Sequence, residues 1–62
     1  MERLIETEFG DAIVEFARYN EDGFIVNEVI NVFLPDDVNP YDKPILKREI
    51  VKAFHNGEGT NL

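Results

Sequence analysis

The segment from residue 24 to residue 34, FIVNEVINVFL, places the strongest constraint on the fold. It is rich in β-branched and aromatic residues, and its two asparagines are mediocre helix formers, so it predicts a β-strand. The preceding Asn20-Glu21-Asp22-Gly23 has the composition of a hairpin loop, a type I turn in which Gly23 takes a positive φ. A strand that follows such a loop needs an antiparallel partner just before it.

Residues 12–19 are the expected partner, and they admit two interpretations. Their β-forming side chains and the turn that follows favour a strand. A short helix with Asp11 as its N-cap would instead place Ile13, Phe16 and Ala17 on one face. We expect the strand, and the helix is the alternative.

A further strand is predicted from Leu4 to Phe9. Ile5, Thr7 and Phe9 alternate there with Leu4, Glu6 and Glu8. Gly10-Asp11 could then close a tight turn that has glycine in its first central position.

The last predicted element is a helix over residues 43–56. Asp42 is a suitable N-cap, Pro44 falls in the first turn, and Gly57 can adopt the left-handed conformation that ends a helix. The helical spacing gathers its apolar residues into one stripe of Leu46, Ile50, Ala53 and Phe54.

The order of elements predicts a small α+β domain over residues 1–57, in which a three-stranded antiparallel meander precedes one C-terminal helix (βββα). Residues 58–62 are expected to be a flexible tail. A chain of 62 residues buries little core, and without cysteine it has no disulfide to compensate, so self-association is one way to gain stability.

Composition argues against an enzyme. The chain has neither serine nor cysteine, which removes the usual covalent nucleophiles, and its single histidine, His55, is expected to be a solvated or capping residue. There is no glycine-rich phosphate loop and no twelve-residue calcium loop. We expect no catalytic residue, no metal site and no cofactor.

Charge is distributed unevenly along the chain. Residues 1–42 carry eleven acidic against two basic residues, a net of −9, whereas residues 43–62 have a net of +2. Such an acidic protein is poorly suited to bind nucleic acid directly, because affinity for phosphates comes from Lys and Arg. There is no secretory signal and no apolar run long enough for a membrane span, which predicts a cytoplasmic protein without membrane partners.

The acidic residues are the best candidates for binding a protein partner. Glu6 and Glu8 are two apart on a predicted strand and would form a row on one face, which Glu15 and Glu28 extend in a suitable register. Such a row can imitate a line of phosphates and occupy a basic groove. The predicted partner-binding residues are Glu6, Glu8, Glu15, Glu28, Asp36 and Asp37, with Tyr19 and Tyr41 as aromatic anchors.

In size, acidity, absence of cysteine and compact βα design, the chain resembles the small inhibitors that phages and mobile elements encode, among them anti-CRISPR and anti-restriction proteins. The resemblance concerns the general character of the whole chain and carries no site residue. It implies stoichiometric occlusion of a partner's surface and does not name the partner. Together with the acidic row, it predicts an inhibitor that mimics DNA on the basic surface of a nucleic-acid-handling host enzyme.

The sequence leaves two other functions open. A self-associating structural or regulatory protein would bury its surplus phenylalanine surface in a homodimer. A DNA-binding regulator would instead use the basic patch of the helix, formed by Lys43, Lys47, Arg48 and Lys52.

Overall fold

The computed structural model describes all 62 residues as one antiparallel sheet and one helix. The strands are β1 (Glu2–Thr7), β2 (Gly10–Glu21), β3 (Phe24–Phe33) and β4 (Thr60–Asn61), and the helix α1 spans Lys43–His55. The sheet order is β3-β2-β1-β4. The α+β class, with a three-stranded meander and a C-terminal helix, is confirmed in outline, and a fourth short strand is added to it.

The β2–β3 hairpin resolves the ambiguity of residues 12–19 in favour of the strand. Ala12, Val14 and Phe16 are fully buried at a period of two, as expected for a strand with one face on the core. The turn is tighter than predicted. It consists of Asp22 and Gly23 alone, both at positive φ (53° and 86°), which is a type I′ geometry that matches the twist of the strands.

The β1–β2 turn differs from the prediction by two residues. β1 ends at Thr7, Glu8 and Phe9 form the turn, and Gly10 begins β2 opposite Thr7. The prediction of a Gly10-Asp11 turn is therefore wrong. The Thr7 hydroxyl explains the earlier turn, because it donates to the Gly10 carbonyl at 2.6 Å and accepts from the Phe9 N–H at 3.1 Å.

Helix α1 ends one residue earlier than predicted and begins where predicted. Asp42 occupies the N-cap position but makes no side-chain capping bond, and Pro44 lies in the first turn. Leu46, Ile50 and Phe54 of the predicted apolar stripe are buried. At thirteen residues, α1 does not meet the length and apolarity that crossing a membrane requires.

The chain leaves the helix through a Schellman motif and returns to the sheet. Gly57 has a φ of 82°, its N–H binds the Phe54 carbonyl, and the Glu58 N–H binds the Ala53 carbonyl. Residues 58–62 were expected to form a flexible tail. Within this segment Thr60–Asn61 form β4, because the motif directs the chain back along β1, where Arg3 and Leu4 pair with it.

The core lies between α1 and one face of the sheet. It contains no polar residue, and it consists of Ile5, Ala12, Val14, Phe16, Val38, Leu46, Ile50 and Phe54. The rings of Phe16 and Phe54 are 4.8 Å apart with a 58° tilt, a favourable aromatic geometry at the centre of the helix–sheet contact.

Arg3 joins three elements around that aromatic pair. Its guanidinium lies 4.6 Å from the centre of the Phe54 ring and 5.3 Å from that of Phe16. It also donates to the Phe54 carbonyl at 3.3 Å and to Asn61 Oδ1 at 2.8 Å. One side chain thereby connects β1, the end of α1 and β4.

We predict that Phe54→Ala lowers the free energy of unfolding by about 3–5 kcal/mol, because it removes a buried ring and leaves a cavity. Phe24→Ala is the matched control, since Phe24 is 74% exposed, and it should change the value by less than about 0.5 kcal/mol. Urea unfolding followed by circular dichroism measures both. Equal losses would contradict the assigned core.

We predict that Gly59→Ala destabilises the protein more than Gly57→Ala. Both residues have a positive φ, but a Cβ at Gly59 would lie 2.5 Å from the Leu4 carbonyl oxygen, whereas one at Gly57 meets nothing within 4 Å. Gly57→Ala should cost about 1 kcal/mol of backbone strain. Gly59→Ala adds the collision at β4, and an equal cost in thermal unfolding would argue against the β1–β4 contact.

Candidate binding face

One face of the sheet has no covering element. Ile5, Val14 and Phe16 point toward α1, so the residues that alternate with them point the other way. The protein has one sheet and one helix, so neither a second helix nor a second sheet covers this second face. We call it the open face.

An apolar row crosses the centre of the open face. Leu4, Ile13 and Phe33 lie side by side on β1, β2 and β3 in the observed register. Leu4 and Ile13 are half-buried, and Phe33 is 49% exposed. The row is a strip of large apolar side chains that are partly exposed at β1 and β2 and most exposed at Phe33.

Two pairs of carboxylates flank this row. Glu2 faces Glu15 and Glu6 faces Asp11, each pair directly across β1 and β2. Met1 and Phe16 exchange both backbone hydrogen bonds, so the neighbouring Glu2–Glu15 pair is a non-hydrogen-bonded pair, in which side chains are closest. Like charges directly opposite one another destabilise a sheet.

The arginines of the sheet bind neutral acceptors. Arg3 donates to Asn61 and to the Phe54 carbonyl, and Arg18 Nε donates to Asn27 Oδ1 at 2.9 Å. Their hydrogen bonds therefore stabilise the fold, and the carboxylates of the open face remain for solvent or a partner.

Four of the residues predicted for partner binding lie on strands of the open face. Glu6 and Glu15 belong to the carboxylate pairs, Glu28 lies opposite Ala17, and Tyr19 lies opposite Val26. The predicted Glu6–Glu8 row is not formed, because the strand ends at Thr7 and Glu8 lies in the turn.

The other predicted residues lie in the connection between β3 and α1. Asp36 and Asp37 form a turn there, between Pro35 and the buried Val38. Tyr41 is 89% exposed just before the helix. The structure therefore does not bring these three residues onto the strands that carry Glu6 and Glu15.

A groove of about 370 Å³ runs between α1 and the part of the β1 edge that lies beyond β4. Glu6 and Glu8 line it together with Glu49 of the helix. The apolar side chains that line it are Ile5, Leu46, Ile50 and Ala53. The acidic character of the open face thus continues around this edge of the sheet.

Sequence reasoning missed several residues of the open face. Glu2, Asp11, Leu4, Ile13 and Phe33 join it because of strand register. Alternation along β1 did place Leu4 and Glu6 on one side. Only the position of the first turn, at Glu8-Phe9, shows that Asp11 faces Glu6.

No three His, Asp or Glu side chains converge in a way that could hold a metal ion. No family model matches the chain, and no curated protein or solved structure matches it.

We predict that Glu15→Lys raises the free energy of unfolding by about 0.5–1 kcal/mol, because it replaces a like-charge pair with an attractive one opposite Glu2. Glu21→Lys changes the net charge equally but lies opposite Phe24, so it should have a smaller effect. Urea unfolding at low salt measures both, and the difference should shrink at 1 M salt as charges are screened. Equal effects would show that the cross-strand repulsion is negligible.

Proposed function

We propose that this protein is a non-enzymatic binding module that occludes the basic surface of a nucleic-acid-handling enzyme through its open face. One observation carries the proposal. The uncovered face has an apolar centre flanked on both sides by paired carboxylates whose repulsion the fold tolerates.

This arrangement has the anatomy of a protein interface. Interfaces typically have an apolar centre, which excludes water, inside a polar rim. Leu4, Ile13 and Phe33 supply the centre, and the carboxylates supply the rim. A face charged only for solubility has no need of an exposed phenylalanine beside carboxylate pairs.

The charge pattern selects a basic partner. The chain carries a net charge of −7, and eleven of its acidic residues precede the helix. A field of this sign accelerates association with a cationic cleft and repels nucleic acid. Clefts that bind phosphate backbones are rich in Lys and Arg, so they are suitable targets.

If this face mimics DNA, it does so through its negative charge, because its carboxylates do not repeat at a regular spacing as phosphates do. Glu2 and Glu6 are four residues apart on β1, about 13 Å along the strand. Leu4 lies between them and interrupts the acidic row. The proposed target therefore offers an apolar contact between its basic groups.

The general resemblance to phage and mobile-element inhibitors implies the same mode of action, stoichiometric occlusion, and we propose that it takes place in the cytoplasm. A self-associating structural or regulatory protein is the alternative function, and direct binding of nucleic acid through Lys47 and Arg48 of the helix is a more distant one. The latter predicts that reversal of these two charges abolishes binding to DNA.

We predict that the tagged protein captures a basic nucleic-acid-handling enzyme from nuclease-treated bacterial lysate, and that a wash at high salt releases it. Screening weakens a complex formed by exposed charges, which explains the release. Mass spectrometry of the low-salt and high-salt fractions identifies the partner. Recovery of this protein alone would leave the acidic face as a solubility device.

Charge-reversed variants separate the contribution of the open face to binding from that of the net charge. Glu6→Lys with Glu15→Lys should weaken capture at least about ten-fold, because two rim charges then repel a basic cleft. Asp36→Lys with Asp37→Lys gives the same net charge in the connection between β3 and α1, away from the strands that carry Glu6 and Glu15, and should retain most of the binding. Equal losses in the two variants would contradict an open-face site.

A further inference from the structure

We infer that the outer edge of β3 pairs with the same edge of a second copy of this chain, around a two-fold axis at Asn27. This inference does not depend on the proposed function. It rests on the unpaired backbone groups, side chains and charge of β3.

The backbone direction of each residue in β3 follows from the hydrogen bonds between Met1 and Phe16. Because these residues exchange both bonds, the N–H and C=O groups of Phe16 point toward β1. Those of Ala17, the next residue, point toward β3. The register pairs Ala17 with Glu28. Glu28 therefore points inward, and its neighbours Asn27 and Val29 point outward.

By the same alternation, the N–H and C=O groups of Ile25 point outward, whereas those of Val26 point inward, toward Tyr19 of β2. β3 has no strand on its outer side, because it is the last strand of the sheet. Ile25, Asn27 and Val29 therefore present three successive sets of unpaired N–H and C=O groups. Such an edge is a template for pairing with another strand.

The rest of β3 is protected against pairing. The register is irregular beyond Val29, where Ile30 is an extra residue that has no partner in β2. Farther along, Asn31 Oδ1 accepts the Val32 N–H at 2.9 Å. The Asn31 side chain thus engages the Val32 N–H, which another strand would need as a donor. The free edge is therefore limited to residues 24–29.

This free edge is self-complementary. Around a two-fold axis at Asn27, Ile25 lies opposite Val29 of the second copy, and Asn27 lies opposite its own equivalent. All outward backbone groups then face each other in antiparallel register. Glu28 lies opposite Val26 of the second copy, so the register places no like charges directly opposite.

Charge and exposed apolar surface favour a second copy as the occupant. Glu28 is the one charged residue among the ten of β3, so this is the strand along which two acidic molecules approach with the least repulsion. Phe24 and Ile25 of the free edge and Ile30 just beyond it are 74%, 65% and 61% exposed. Together they offer on the order of 400 Å² per copy, half of a standard interface, so we expect a weak dimer.

Single-cysteine variants test the register, because the chain has no cysteine of its own. Asn27→Cys should form a disulfide-linked dimer on mild oxidation, since residues in a hydrogen-bonded pair have Cα atoms about 5.5 Å apart. Ile25→Cys is the matched control. Its equivalent in the second copy would lie about 13 Å away along the strand, so it should cross-link at least about ten-fold more slowly.

Sedimentation equilibrium of the unmodified protein provides the second measurement. The dimer fraction should rise with protein concentration and with salt, whereas salt releases a partner from the acidic face. Asn27→Pro, which removes an outward N–H, should remain monomeric with an unchanged circular dichroism spectrum. A monomer at every concentration, or equal cross-linking of the two cysteine variants, would overturn the inference without affecting the proposed function.

Discussion

The structure depends on the contact of a single helix with a single face of the sheet. Phe54 of α1 and Phe16 of β2 form the centre of that contact, with their rings 4.8 Å apart. Arg3 lies over both rings and binds the end of the helix and β4. The thirteen-residue helix can cover one side of the sheet only, and everything exposed on the other side follows from that limit.

The open face combines features that a fold alone would not favour. At two positions, carboxylates of β1 and β2 lie directly opposite one another. Large apolar side chains form the row between these two pairs. A chain of 62 residues has little stability to lose. Locally unfavourable arrangements of this kind are typical of surfaces that serve binding, and a basic partner would turn the repulsion into attraction.

The two edges of the sheet are protected against further strand pairing to different extents. β4 covers part of β1 after a Schellman turn and a glycine that fits against the Leu4 carbonyl. On the other side, the irregular register near Ile30 and the Asn31 side chain protect only the far half of β3. The half near the turn carries neither device. The edge pairing and the partner binding that we propose would use separate surfaces, and we expect salt to act on them in opposite directions.

Local chemistry in the sequence determined much of this fold. The β-rich run at 24–34, the Asp22-Gly23 turn, the apolar stripe of α1 and the glycine after it each act within a few residues, so the strands, the helix and the α+β class could be predicted. The acidity of residues 1–42 also predicts a basic partner, and this stays a prediction.

Only the tertiary structure decided which of these residues meet. The Thr7 hydroxyl moved the first turn to Glu8-Phe9, which put Asp11 opposite Glu6 and removed Glu8 from the row. β4 has no strand pattern of its own, and it forms because the Schellman turn directs it along β1. Register and chain reversal arise from contacts between residues far apart in the sequence, and local propensity contains no information about them.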